Sequence, residues 1–188
     1  MKRIVAAPTA GACGVLPAVL VPYFQKRCRN TDKILKAMYV AAGIGQIIAT
    51  RSSISGAAGG CQAEIGSASS MAAGALTYLQ GGNCEQIATA AAMAMKNLLG
   101  LVCDPVAGLV EVPCVKRNVI GTVNAMACAD MAMAGIVSRI PPDQVMDAMK
   151  EVGDKMDASL RETALGGLAR TEEGVKIAEK MHASQENW

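Results

Sequence analysis

Gly59-Gly60-Cys61-Gln62-Ala63-Glu64-Ile65-Gly66 is the stretch on which the reading of this chain turns. Two glycines permit a bend, and the small residues after them carry a helical pattern from about Cys61 to Gln80. Its echo is Leu101-Val102-Cys103-Asp104-Pro105-Val106-Ala107-Gly108-Leu109-Val110-Glu111-Val112-Pro113-Cys114. Cys61 follows two glycines, Cys103 precedes Asp-Pro and Cys114 follows a proline. The three cysteines lie 42 and 11 positions apart, so any site that uses them together is assembled by the fold. Three thiolates at bends suit one metal centre, and three buried thiols are the alternative that spacing leaves open. No CxxC pair is present, so zinc-finger and ferredoxin signatures fail. Three thiolates on a [4Fe–4S] cube leave one iron without a protein ligand, free to act as a Lewis acid on a substrate oxygen.

Outward from this stretch the chain reads as a helical scaffold. Hydrophobic residues make up 52% of the 188 and charged residues 18%, which excludes global disorder and allows one domain with a real core. Aromatics are 3%, while Ala, Gly and Met abound. Small side chains allow close helix approach and Met fills irregular gaps, so the expected class is a compact all-α domain over residues 1–188. The charge-free windows from Ile4 to Gln25 and from Ile65 to Cys84 are interrupted by prolines or polar residues, so neither reads as a membrane span. The apolar run after Lys2-Arg3 stops at Pro8, which argues against a signal peptide and makes the cytoplasm the default expectation. Net charge is +2 without a basic stripe, so nucleic acid is not an expected partner. Seven cysteines, an odd number, favour metal or catalytic use over disulfides.

Along the chain, Ala7 to Gly14 reads as a loop whose small residues let a ligand approach the backbone. Helices are predicted from about Pro17 to Arg27, with Pro22 as a kink, and from Lys33 to Thr50 behind an Asn30-Thr31-Asp32 cap. A flexible stretch follows from Arg51 to Gly60. Further helices are predicted from Asn83 or Cys84 to about Leu101, from Arg117 to Ser138 and from Pro141 to near Met156. A last short helix follows Thr171-Glu172-Glu173. Cys28, Cys84 and Cys128 read as small structural hydrophobes, whereas Cys13 either lines a site or merely fills its loop. The Met-rich and Ala-rich faces at Ala90 to Met95 and Met126 to Met133 are expected in the core or against a partner.

Three motifs also carry a resemblance. Pro8-Thr9-Ala10-Gly11-Ala12, Ser53 through Cys61 to Gly66, and Cys103-Asp104-Pro105-Val106-Ala107-Gly108 through Cys114 to Asn118 resemble the iron–sulfur-dependent L-serine dehydratases. The likeness is closest to the α chain of the two-chain bacterial enzymes and runs from Ile4 to about Gly174. It implies a [4Fe–4S] cluster held by Cys61, Cys103 and Cys114, and conversion of L-serine to pyruvate and ammonia without pyridoxal phosphate. It also implies a β chain as partner, a place in amino-acid degradation and gluconeogenesis, and a stretch of the catalytic region before the Pro-Thr loop that is expected to be missing here. A homo-oligomer is a further candidate assembly.

On that reading, the candidates for binding the substrate are Thr9, the backbone around Gly11, Ser52, Ser53 and Arg117. Each has a plainer alternative. Thr9 is otherwise a turn or cap residue, Ser52 and Ser53 solvated hydroxyls, and Arg117 half of a surface ion pair. Asp104 is expected to close the turn before Pro105. Glu64, one turn past Cys61, is either a supporting partner of the site or a solvated helix residue. No residue stands out as general base, and the single histidine, His182, lies in the polar tail.

Overall fold

A computed structural model describes residues 5–185. Among them are eight α-helices and no strand: α1 (Val15–Tyr23), α2 (Thr31–Arg51), α3 (Gly56–Gly59), α4 (Ser67–Gln80), α5 (Cys84–Lys96), α6 (Cys114–Met133), α7 (Pro142–Lys155) and α8 (Glu172–Gln185). The all-α expectation holds.

Helix α4 is the axis of the molecule. Nearly all of it is buried, including Ser67, Ser69, Ser70 and Thr77. It packs against α1, α2, α5 and α6. A helix enclosed on all sides needs small residues, because bulky ones would hold its neighbours away. Gly74 faces Ile44 of α2, where a Cβ would collide with the Ile44 side chain. At Gly121 of α6 a Cβ would stand 2.9 Å from Ile65 Cγ2. The buried hydroxyls are mostly satisfied without water: Ser69 donates to Gly121 O (2.8 Å), Ser70 to Ala91 O (2.9 Å) and Thr77 to Ala73 O (2.8 Å).

The caps explain the boundaries. Asn30 accepts the Lys33 amide at 3.0 Å and starts α2. Asn83 and Gln86 form a reciprocal capping box at α5. Gly81, at φ 93°, ends α4 in the left-handed conformation that glycine adopts without a Cβ penalty. No helix among the described residues is long and apolar enough to cross a membrane.

Several expectations need correction. Helix α6 starts at Cys114, three residues before Arg117, because the chain enters the helix straight from Pro113. It stops at Met133, with Gly135 at φ 86° turning the chain. Helix α5 ends at Lys96, and the turns after it place Leu101 O where it accepts the Gln62 amide at 2.9 Å. The stretch read as flexible contains the single turn α3. Of the Met-rich faces, Ala90 to Met95 is wholly buried, whereas Met126 lies exposed on α6. Cys128 is buried and Cys28 half-buried, but Cys84 is exposed at the start of α5 and is no core residue.

Candidate metal centre

Three backbone devices bring the cysteines together. Cys61 precedes a wide π-turn, Gln62–Gly66, that feeds into α4. Gly60 before it has φ 74°, and a Cβ there would meet Met156 and stand 2.9 Å from Leu101 O. The Gln62 side chain, fully buried, donates to Met149 O of α7 (3.0 Å) and accepts the Gly100 amide (2.9 Å). Cys103 sits in a short parallel bridge: its amide donates to Leu160 O (2.8 Å), and the Glu162 amide donates to its carbonyl (2.7 Å). Cys114 opens α6. The three thiols are buried and cluster together, with Leu101 packed against them.

Glu64 joins them. Its carboxylate and the sulfurs of Cys61 and Cys103 lie within 4.8 Å of one another. Among the described residues this is the one place where three such donors meet. Thr9 donates its hydroxyl to Glu64 Oε1 at 2.6 Å. Gly11 leaves the space beside that carboxylate: a Cβ there would stand 3.3 Å from both oxygens. Asn118 ties the Thr9–Gly14 loop to α6, donating to Gly11 O (2.7 Å) and Cys114 O (2.9 Å) and accepting the Gly14 amide (3.0 Å).

Arg117 is a buried strut. Nη2 lies 2.8 Å from Asp104 Oδ1, with side-chain exposures of 12% and 4%. Nη1 donates to Val102 O (2.8 Å) and reaches Cys61 Sγ (3.5 Å). Asp104 therefore does more than close a turn: its other oxygen accepts the Leu168 amide at 2.8 Å, joining the cysteine loop to the segment before α8. Ser52 and Ser53 lie elsewhere. They line a cleft of about 280 Å³ between α3 and α7, and none of the three cysteines lines it. Ser53 Oγ already accepts the Ser55 amide. His182 is exposed on α8.

The sulfurs share protons unequally. Hydrogen bonds with Cys103 and then Cys61, aided by the nearby Arg117 guanidinium, hold the Cys114 thiol down at about 3. Its place at a helix N-terminus acts in the same direction. Cys61 is lowered by its bond with Cys103 but raised by Cys114 and by burial, and ends pushed up to about 12. Cys103 is raised by its bonds to Cys114 and Cys61 and by burial. Of the three, Cys114 is the sulfur held toward its thiolate form. Burial raises the Glu64 carboxyl above the usual range, the Thr9 hydroxyl opposes this, and the negative charges of Glu162 and Cys114 add to it.

The donor set fits an iron–sulfur cluster. It is soft, thiolate-rich, free of histidine and shielded from water, with a cation against one sulfur. Sequence reasoning missed Glu162, because nothing marks its segment as meeting Cys103. Asn118 had a usable signal, since it lies one helical turn beyond Cys114.

Comparison with known proteins identifies relatives of the chain. A family model described as "Serine dehydratase alpha chain" matches residues 1–169. The "Probable L-serine dehydratase, alpha chain" of Bacillus subtilis (strain 168) is 54% identical over 181 residues, covering 96% of this chain and 60% of that protein. The protein of the same name from Latilactobacillus sakei is 53% identical, covering 94% and 85%. "L-serine dehydratase 2" of Escherichia coli (strain K12) is 47% identical over 170 residues, covering 89% of this chain and 37% of that protein. The chain therefore spans less than two thirds of the Bacillus and Escherichia relatives. With its helical frame and converging cysteines, this chain belongs to the serine dehydratase alpha chain family.

Proposed function

We propose that this chain holds a [4Fe–4S] cluster on Cys61, Cys103 and Cys114 and serves the dehydration and deamination of L-serine to pyruvate and ammonia. The observation that carries the reading is the meeting of three buried thiols from three separate segments, in a family whose members are named L-serine dehydratases. Cys61, Cys103 and Cys114 would hold such a cluster, which with three thiolate ligands would leave one iron open to supply Lewis acidity toward a substrate hydroxyl.

The chain's own residues prepare this chemistry. Cys114 is the sulfur held toward its thiolate form, and Cys61, whose thiol is pushed up, would have to give up its proton to ligate a metal. Arg117 orients the Cys61 sulfur; with its fork already engaged by Asp104 and Val102 O, it is a positioning residue and no longer a candidate for the substrate carboxylate. Thr9 and Gly11 remain the substrate-binding candidates, because their loop flanks Glu64, whereas Ser52 and Ser53 face another cleft. A β chain is the proposed partner. On α6 an apolar stripe of Val115, Val119, Val123 and Met126 lies exposed beside the cysteine loop and offers it a contact surface.

The test is enzymatic. The chain is loaded anaerobically with iron and sulfide, co-expressed with a β polypeptide and assayed for pyruvate from L-serine. Turnover that needs iron and is indifferent to pyridoxal phosphate is expected. A pyridoxal-phosphate requirement would refute the reading.

A further inference from the structure

One side chain stands between the cysteine centre and the Thr9–Gly14 loop. Asn118 lies one helical turn beyond Cys114 on α6, and its amide is divided between the two. Nδ2 donates to Cys114 O at 2.9 Å and to Gly11 O at 2.7 Å, while Oδ1 accepts the Gly14 amide at 3.0 Å. Both amide protons and an oxygen lone pair are therefore engaged. Asparagine suits this place by chemistry: an aspartate would offer no donor to either carbonyl, and an alanine would offer nothing.

The loop has few other holds. Inside it, the Ala12 amide donates to Thr9 O and the Cys13 amide to Ala10 O, both at 3.3 Å, beyond the usual N–H···O length. Among the described residues, its hydrogen bonds to distant segments are those with Asn118 and the one from Thr9 to Glu64. The Ala12 methyl is buried in the core. At Gly14 the loop is pressed against the amide: a Cβ there would stand 3.0 Å from Asn118 Oδ1. At the other end of the contact, Cys114 opens α6 without a capping side chain. Its carbonyl belongs to the same residue as a sulfur of the centre, so ligation that settles the Cys114 backbone also settles the acceptor that Asn118 holds.

We infer that Asn118 is a positioning residue that couples loading of the metal centre to the order of the Thr9–Gly14 loop. The loop that carries Thr9 and Gly11 is then set for substrate once Cys114 is ligated. The link to substrate rests on the serine dehydratase reading, whereas the coupling is a property of this chain's own contacts. Asn118 acts through the loop and through Cys114, and touches neither sulfur nor substrate itself.

The test follows hydrogen–deuterium exchange at the Ala12 and Cys13 amides, in the metal-free chain and after anaerobic loading with iron and sulfide. In the parent, loading should slow both amides about tenfold. In Asn118→Ala, loading should change them by less than about twofold, at parental iron and sulfide content and visible spectrum. A merely structural role would speed exchange by the same factor in both forms and keep the response to loading. That result would overturn the coupling, as would a parent whose loop ignores loading. Gly14→Ala presses on the same contact from the loop side without altering α6. It is compatible with the backbone there, at φ −82°, and should lose the response as well. It decides the question if Asn118→Ala fails to load. Titration of the loaded proteins with L-serine, read from the visible and EPR spectra, should show both variants binding about tenfold more weakly than the parent. Undiminished binding in variants that have lost the response would overturn the loop's part in substrate binding. A parent that loads and slows its loop amides, yet gives no spectral response to L-serine, would overturn the dehydratase reading and leave the coupling standing.

Discussion

Replacing Arg117 by Met isolates the strut that joins the cysteine loop to α6. Arg117 and Asp104 meet at 2.8 Å with side-chain exposures of 12% and 4%. Removing the guanidinium leaves a buried carboxylate with no cation, a loss of about 3–5 kcal/mol. Asp104 keeps the Leu168 amide as a donor, which places the cost toward the lower end. The bond to Val102 O contributes about 1 kcal/mol of the total. Against a total stability of about 5–15 kcal/mol, this is a large fraction. The assay is urea unfolding of the metal-free, reduced chain, performed as a double-mutant cycle. In an Asp104→Asn background the Leu168 amide keeps an acceptor and no buried charge is orphaned. There the same Arg117→Met change should cost only about 1–2 kcal/mol. Equal costs in the two backgrounds, within about 0.5 kcal/mol, would refute the account of a buried, interdependent pair.

Other consequences are checked in the same way. Asn118→Ala cuts two bonds between α6 and the Thr9–Gly14 loop and one to Cys114 O within α6, and should speed amide exchange at Ala12 and Cys13 while lowering stability by about 1–3 kcal/mol. Gly121→Ala gains about 1 kcal/mol of helix propensity, but its Cβ meets Ile65 Cγ2 at 2.9 Å and Val15 Cγ2 at 3.1 Å. Overpacking costs about 1–3 kcal/mol, so thermal unfolding should show net destabilisation where propensity alone predicts a gain. Cys128, buried on α6, has its thiol pushed up by burial from 9.0 to about 11. An acid that holds its proton more tightly when folded contributes stability that is intact below pH 9 and lost as pH rises through 11. Two units correspond to about 2–3 kcal/mol, so Cys128→Ala should flatten the alkaline fall of the urea midpoint over that window.

The scaffold was legible where local chemistry decides it. Asn30, Asn83 and Gly81 mark helix ends with their own side chain or φ, and α2, α4 and α5 begin or end where those signals stand. Helix α6 was misplaced by three residues because Pro113 permits a helix to begin at once, and no capping side chain announces it. The context of Cys61, Cys103 and Cys114 at bends pointed to their convergence, and the three meet in one buried cluster. Glu64 was within reach of the same reasoning, being three residues past Cys61. Its burial was not, because that depends on Thr9, Gly11 and Glu162 arriving from distant segments. Ser52 and Ser53 line the cleft between α3 and α7, which none of the three cysteines lines. Hydroxyl-rich composition alone could not reveal a single helical turn.

The most direct measurement counts iron and acid-labile sulfide per chain after anaerobic loading, in the parent and in the Cys61→Ser, Cys103→Ser, Cys114→Ser triple variant. The account predicts about four of each in the parent, with the absorbance of a [4Fe–4S] cluster, and essentially none in the triple variant. Equal iron in both proteins would contradict it.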